Sequence, residues 1–337
     1  MKITIVIVSF KRSKLLSELL ESLSQQDPHH FNFEIIIVLN GEDLETLSSL
    51  ISYAGPLQII ELKKGLSPGA ARNLAIEKGT GEYLVFLDDD ITLPHFYFSL
   101  AQQELKTSLD MLGGPDITTP NGSFFQKALG LAQQSPLSSA HTRYRHEDYE
   151  NIGKNQPTNS KRGSEFILCN LWIRRSFLIQ HNLKFDDRFF RNEENVLIHQ
   201  MSQFPHSFNF QPRLFVYHQK KKNMTQLCRA VFSSGHHRIK SFALFPDSFE
   251  VIYLTPAVFV LYLFSLSLLR QWPYAFLPLQ IYLIMNLMLT YRLTTRKEQN
   301  LRFAPLVFLL QIMMNLSYGV GTLFGLARWG LERLKFR

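Results

Sequence analysis

Three carboxylates in a row, Asp88, Asp89 and Asp90, close the apolar run EYLVFLDDDITLP at Glu82 to Pro94. Like charges that close repel one another, so a cation belongs among them. Alternate residues leaving a strand can both reach one divalent ion. Mg²⁺ or Mn²⁺ characteristically takes one or two carboxylates together with the oxygens of a bound diphosphate. The competing account is an acidic turn whose charges are solvated. The apolar strand before Asp88 and the alternation of strands and helices around it favour the metal.

A second acidic pair, Glu193 and Glu194, lies in NEEN at Asn192 to Asn195. Asn192 reads as a helix cap, and two glutamates in a first turn suit the positive end of the helix dipole. A carboxylate there could also take the proton of an attacking hydroxyl. His218 closes LFVYH, where a histidine serves structure more often than it ligates a metal. Lys220 to Lys222, Arg229, Arg238 and Lys240 form a basic stretch without acids just ahead of the apolar C-terminal region. Such a stretch suits anionic lipid headgroups or a lipid diphosphate. Nucleic acid is not an expected partner, because the charge elsewhere is ordinary.

The elements that must position these residues are legible in the first hundred positions. Ile3 to Val8, Phe33 to Leu39, Leu57 to Glu61 and Tyr83 to Leu87 read as strands, with helices at Ser13 to Gln25 and Leu44 to Tyr53. In LSPGAARNLAIEKG, Ser67 is a candidate N-cap, Pro68 fits the first helical position and Gly79 is a stop. This is a doubly wound α/β pattern, which binds ligands beyond the C-terminal ends of its strands. The polar loops SFKRS, NGED, KKG and DDD all fall at those ends. No G-x-G-x-x-G and no G-x-x-x-x-G-K-[ST] occurs, so a phosphate ligand would be held through a metal. Further on, Asn151 to Gly163 reads as a mobile loop. EFILCNLWIRRSFL reads as a strand entering a helix, FDDRFFRNEENVLIHQM as a loop and helix, and RLFVYH as a short strand.

The net charge of +8 is unevenly spread: nine Lys/Arg face two acids from Val251 onward, against 27 and 26 before it. The same region holds three long apolar stretches, Val251 to Leu269, Trp272 to Tyr291 and Phe303 to Leu326, each long enough to cross a bilayer. With a cytoplasmic N-terminal domain, Arg292, Arg296, Lys297 and Arg302 lie inside, as the positive-inside rule expects. Three full crossings would then leave Arg328, Arg333, Lys335 and Arg337 outside. That conflict points to one segment being re-entrant or interfacial. MKITIVIVSF is too short and too β-branched for a secretory signal and reads as a first strand. Cys169 and Cys228 suggest neither a disulfide framework nor a metal spacing, consistent with a reducing compartment. The expected organisation is 1–110, a nucleotide-sugar half; 111–247, an acceptor and base half; and 248–337, a membrane region.

VIVSFKR, IIIVLNGED, GAARNLAI, GEYLVFLDDD and FDDRFFRNEEN, in that order, resemble the family-two glycosyltransferases of the GT-A fold, over the N-terminus to about residue 240. QLCRAVFSSGHHR and NLSYGVGTLFGLARW are similar to membrane-bound members that build bacterial exopolysaccharides, including the succinoglycan type. The resemblance implies a nucleotide-diphospho-sugar donor, a divalent metal and an inverting displacement. It implies that Ser9 and Phe10 line the base and that Asn40 stands where the family usually has an acid. Arg72 would approach the sugar or diphosphate, with Asp88 and Asp89 on the donor side. Asp90, with Asp88, would ligate the metal, and His218 would complete it. Within Glu-Glu, Glu194 matches the family's base and Glu193 is the alternative. Gln226 and Arg229 echo a Q-x-x-R-W motif on the acceptor or diphosphate side, but Ala230 replaces the Trp, which favours single-sugar addition. The implied acceptor is a lipid-linked oligosaccharide or an envelope polysaccharide at the inner membrane, with catalysis on its cytoplasmic face. A polyprenyl-phosphate product, a processive polymer and a non-catalytic assembly protein are the alternatives.

Overall fold

The computed structural model describes residues 1–27, 29–51, 53, 55, 57–147, 163, 165–296 and 301–335. The loop expected at Asn151 to Gly163 lies, apart from Gly163, outside them. The described chain divides into two units, Met1–Pro120 with Tyr144–Gln219, and Asn121–Arg143 with Lys220–Arg337. These cut across the expected boundaries at 110 and 247, because Asn121–Arg143 packs with the C-terminal helices.

In the first unit, β-branched runs alternate with amphipathic helices: β1 (Lys2–Ser9), α1 (Ser13–Ser24), β2 (Asn32–Leu39), α2 (Leu44–Ile51), β3 (Leu57–Glu61), α3 (Pro68–Lys78) and β4 (Tyr83–Asp88). β5 (Ile91–Thr92), α4 (Tyr97–Glu104), β6 (Met111–Gly113) and β7 (Asp116–Thr118) follow. The strands pair as a seven-stranded sheet in the order β3-β2-β1-β4-β8-β6-β9. Its later members are β8 (Asn170–Arg174) and β9 (Phe208–Phe210), with α7 (Arg175–Gln180) and α8 (Glu193–Met201) between them. β1 to β4 are mutually parallel, whereas β8 runs antiparallel to β4 and β6. Alternate residues serve opposite faces: Ile3, Ile5 and Ile7 pack towards Leu16, Leu19 and Leu23 of α1, and Val6 joins Ala71 and Ala75 of α3. Each fully buried side chain of this size contributes about 1.5–3 kcal/mol.

A second, three-stranded sheet, β5-β10-β7, is built around β10 (Val216–His218). α3 begins as its sequence predicts: the Ser67 hydroxyl accepts from the Ala70 N–H, Pro68 follows, and Gly79 ends the helix.

The second unit is helical. α5 (Phe124–Gln133) opens with a reciprocal capping box between Ser123 and Gln126, and α6 (Pro136–Ser139) follows it. Then come α9 (Met224–Leu244), α10 (Thr255–Leu268), α11 (Leu277–Thr295) and α12 (Ala304–Lys335). Val251–Leu268, Pro273–Thr295 and Leu301–Gly330 are long and apolar enough to cross a membrane, matching the three stretches read from the sequence.

Candidate active site

Strand register gathers the first candidates. Ser9 pairs with Leu39, and Val8 with Asp88, so the ends of β1, β2 and β4 share one sheet edge. His218 reaches that edge because β10 sets it opposite Ile91 on β5 and Thr118 on β7. Arg72 comes from the buried side of α3, and Glu193 and Glu194 from the first turn of α8.

The three carboxylates have separate partners. Asp89 turns inward, contrary to its expected donor-facing role, and accepts the Ser9 hydroxyl at 2.6 Å and Arg12 Nη1 at 2.7 Å. Burial pushes its carboxyl up, against the pull of Arg12 and Ser9. Asp90 accepts from the same Arg12 nitrogen at 3.0 Å and faces His218 Nε2 at 3.2 Å. Asp88, the most exposed of the three, accepts from Arg72 Nη2 at 3.1 Å. The cation demanded by the acidic run is thus supplied in part by two arginines. Arg12 was visible in SFKRS but received no role from the sequence.

Behind His218 stands Asp116, a fully buried carboxylate in β7 that sequence reasoning missed. One of its oxygens meets His218 Nδ1 and the other His146 Nδ1. A carboxylate on Nδ1 fixes the ring and turns Nε2 towards a metal, the usual support of a ligating histidine. Two ligands adjacent on an octahedral ion at about 2.0–2.1 Å stand about 3 Å apart, and the Asp90 Oδ1 to His218 Nε2 separation of 3.2 Å meets that spacing. The donor set therefore fits Mg²⁺ or Mn²⁺. Burial works against charge on His218, but Asp90 and Asp116 outweigh it and hold the imidazole up to about 9. An ion binding there displaces that proton. Cys169 corrects the expectation that neither cysteine has a metal spacing: its thiol lies with Asp116 and His218 in a group whose ligand atoms are within 4.8 Å of one another.

Arg72 joins the two acidic regions. Its Nη1 donates to Glu193 Oε1 at 2.9 Å while Nη2 holds Asp88, and both Arg72 and Glu193 are buried. Burial, reinforced by the neighbouring Glu194 charge, pushes the Glu193 carboxyl up to about 7, although Arg72 pulls it down. Glu194 is differently held: Asn195 Nδ2 donates to its Oε1 at 2.9 Å, and Arg145 Nη1 lies 3.9 Å from the same oxygen. Arg145 also donates to Asn195 Oδ1 at 2.8 Å. Asn192 stands at the N-cap in the left-handed region, φ 65°, without a side-chain cap bond, which corrects the capping expected of it.

The remaining candidates divide. Phe10 is half exposed, and its ring lies over Gly41, where an added Cβ would come within 2.8 Å of it; the φ of +136° there also requires glycine. Lys11 adopts φ 54°, a costly conformation for lysine, and the Asp43 carboxylate holds it by accepting its N–H at 2.6 Å. Asn40 clamps the loop before α3, donating to Leu66 O at 3.1 Å and accepting from Leu66 N at 2.8 Å. Gln226 and Arg229 belong to the second unit. Gln226 is committed to the start of α9: its carbonyl accepts from Lys222 N at 3.1 Å, and its own N–H donates to Asn223 at 3.0 Å. Arg229 lines an open groove of about 420 Å³ with Cys228, Phe232, Leu316, Ser317 and Val320.

Comparison with known proteins adds three findings. The family model described as Glycosyl transferase family 2 matches residues 4–181. Among curated relatives, the Staphylococcus aureus poly(ribitol-phosphate) beta-N-acetylglucosaminyltransferase TarS is 31% identical over 94 residues, 27% of this chain and 16% of that protein. The Bacillus subtilis glycosyltransferase YwdF is 35% identical over 109 residues, 32% of this chain and 40% of its own. The matches thus span less than half the length of either relative. Among solved structures, the Pyrobaculum calidifontis mannosyltransferase PcManGT, in complex with GDP-Man and Mn²⁺, superposes with a TM-score of 0.58 at 14% identity, covering 96% of this chain and 86% of that one. S. aureus TarS 1–349 in complex with UDP-GlcNAc gives 0.50 at 15% identity, covering 96% and 90%. At such identities these two likenesses speak for the fold alone.

Proposed function

The chain belongs to glycosyl transferase family 2, and from that premise we propose that it moves one sugar from a nucleotide-diphospho-sugar to an acceptor hydroxyl, with inversion at the anomeric carbon. The observation that carries this reading is Arg72, which bonds Asp88 through one nitrogen and Glu193 through the other. It ties the strand end that would face the donor to the helix that carries the base.

In this reading Glu194 is the general base. Its carboxylate is oriented by Asn195 and is less buried than that of Glu193, whose oxygen is already engaged by Arg72. The acceptor oxygen forms its bond to the anomeric carbon as Glu194 takes the hydroxyl proton. The electrons of the breaking bond leave with the nucleoside diphosphate. Asp90 and His218 would hold Mg²⁺ or Mn²⁺, with Asp116 fixing the histidine and Asp88 next to the site. When bound, that ion supplies positive charge to the diphosphate leaving group. Arg72 supplies a fixed positive charge beside Asp88, and Ser9, Phe10 and Asn40 form the rim on which the base and ribose would rest.

For the acceptor we propose a lipid-linked oligosaccharide or an envelope polymer, handled at the cytoplasmic face of the inner membrane. Support comes from the three apolar helices and from the open groove lined by Arg229 together with the apolar Phe232, Leu316 and Val320, a combination that suits a phosphorylated lipid. TarS is named for acting on poly(ribitol-phosphate), which makes a phosphate-bearing polymer a reasonable acceptor to test. The absence of Trp at Ala230 still favours single addition.

The test is Mn²⁺- or Mg²⁺-dependent release of nucleoside diphosphate from a panel of nucleotide-sugars, using detergent-solubilised protein and a lipid extract as acceptor source. Release from one donor, abolished in both Asp90→Ala and Glu194→Ala, is the expected result. Nucleotide binding without release from any donor would transfer the weight to a non-catalytic assembly role.

A further inference from the structure

We infer that α12, the longest apolar helix of the chain, lies along the membrane surface instead of crossing it. Only the α10–α11 hairpin then enters the bilayer, and the C-terminal end stays on the side from which the hairpin departs.

The argument begins with what covers α12. Phe303, just ahead of α12, and Val307, Leu310 and Met314 in its first half form an apolar cluster with Ala128, Leu129 and Ala132 of α5 and Leu227 of α9. Along its second half α9 runs beside it in the same direction. A Cβ on Gly321 would come within 2.1 Å of the Phe232 carbonyl, and one on Gly325 within 2.9 Å of the His236 carbonyl. Gly235 of α9 approaches the Tyr318 carbonyl in the same way, at 2.3 Å, and Phe324 packs on Phe232 and His236. Backbones this close leave no room for lipid between the two helices.

α9 is not a membrane helix. Its sequence carries Arg229, Arg238 and Lys240 together with His236 and His237, and it contains no Asp or Glu. α5 likewise carries Gln126, Lys127 and Gln133. If α12 crossed the bilayer, α9 would be drawn with it and these cations would enter hydrocarbon, which is costly. If α12 lies in the plane, the same cations fall at headgroup level, where anionic lipid attracts them. At about 1.5 Å per residue the 32 residues of α12 extend about 48 Å, well beyond the roughly 30 Å of a bilayer core.

The hairpin has the opposite character. Phe264, Leu268, Ile284, Leu287 and Met288 are exposed along its two helices, and no charged residue interrupts either between Val251 and Leu269 or between Trp272 and Tyr291. Arg270, Trp272 and Tyr274 occupy the turn, as interfacial anchors do. Where α11 meets α12, polar side chains bridge the two helices. Asn286 donates to the Phe308 carbonyl at 3.2 Å, Gln311 to Thr290 Oγ1 at 2.8 Å and Asn315 to the Tyr282 hydroxyl at 3.1 Å. Two crossings also remove the charge conflict: Arg292, Arg296, Arg302 and Arg328 then share one side with the cations of α9, as the positive-inside rule asks.

This inference does not rest on the transferase reading, and its test needs no activity. Epitopes are introduced at the N-terminus, at Gln271 and at the C-terminus of the full-length chain, and protease access is compared in intact and inverted membrane vesicles. The two termini should be cut from one side and the Gln271 epitope from the other. In parallel, with Cys228 replaced by Ser and the buried Cys169 left in place, nitroxides are attached at Leu309→Cys, Val320→Cys and Phe324→Cys. All three should report one shallow depth. A crossing helix would instead spread residues 309 and 324 by about 22 Å along the bilayer normal. A C-terminal epitope on the side opposite the N-terminal one, or a depth gradient of that size, overturns the inference, and so does a Gln271 epitope cut from the same side as the termini.

Discussion

Glu193 offers a direct test of the buried electrostatics, because its carboxyl is pushed up to about 7 by burial and by Glu194. An unfolded glutamate titrates near 4.3, so between roughly pH 4.3 and 7 the native state keeps a proton that the unfolded chain has released. Stability therefore falls as pH rises through that window and is level on either side of it. The difference corresponds to about 4 kcal/mol, fully absent below the unfolded value and fully present above the native one. Glu193→Gln never ionises yet keeps an oxygen for Arg72, whose Nη1 sits 2.9 Å from Oε1. Thermal unfolding of the detergent-solubilised wild type and variant should coincide near pH 4.5. At pH 8 the variant should melt higher by about 7–15 °C, from roughly 2–4 °C per kcal/mol for a domain of 150–250 residues. A gap that does not change with pH, or a wild type that gains on the variant towards pH 8, would refute the assignment of burial as the dominant influence on Glu193.

Glu194→Gln should lower nucleoside diphosphate release by about 10²–10⁴-fold, the usual scale of a general base, while Glu193→Gln loses less than tenfold; steady-state assays on the same donor decide between the two glutamates. Asp116→Asn should weaken Mn²⁺ binding by about 10–100-fold by loosening the hold on His218, read by titration of free Mn²⁺ with electron paramagnetic resonance. Chelation with EDTA should abolish release, and added Mn²⁺ should restore it, when release is followed in one reaction. Tyr97→Phe should cost about 1–3 kcal/mol, because a buried donor left unpaired carries that penalty. The Tyr97 hydroxyl accepts from Trp172 Nε1 at 2.9 Å and donates to Asn170 Oδ1 at 2.6 Å. Denaturant unfolding measures the loss.

The parts of the fold legible in the sequence are those in which local signals agree with tertiary packing. The first four strands carry enough β-branched residues to show their period, and Ser67, Pro68 and Gly79 mark both ends of α3. β7, β9 and β10 are three residues each, too short for any period to appear. Asp116 was invisible for that reason, since His218 is brought to it only by the pairing of β10 with β7, and His146 meets it from 30 positions along the chain. Arg145 was equally hidden, its contact with Asn195 spanning 50 positions. Other signals were present and unread. The Ser123 to Gln126 spacing is a capping box visible in the sequence and announces α5, the helix that joins Asn121–Arg143 to the second unit.

The acidic run that first suggests a metal illustrates why residue type alone could not divide the work. Asp89, the middle carboxylate, is the one committed to structure. With both oxygens taken by Ser9 and Arg12, it anchors the loop after β1 to the end of β4. Arg12 is thereby tethered through Asp89, so that it can neutralise Asp90 at 3.0 Å and yet yield that oxygen without losing its own place. Asp88 turns instead to Arg72, and Asp90, while sharing Arg12, meets His218 through its other oxygen. Alternation along the chain separates the two outer carboxylates from the inner one, and it is that separation, more than the sum of three charges, that sets Asp88 beside Arg72 and Asp90 beside His218. A D-x-D spacing is thus informative here because the residue between the two acids has an internal partner waiting for it.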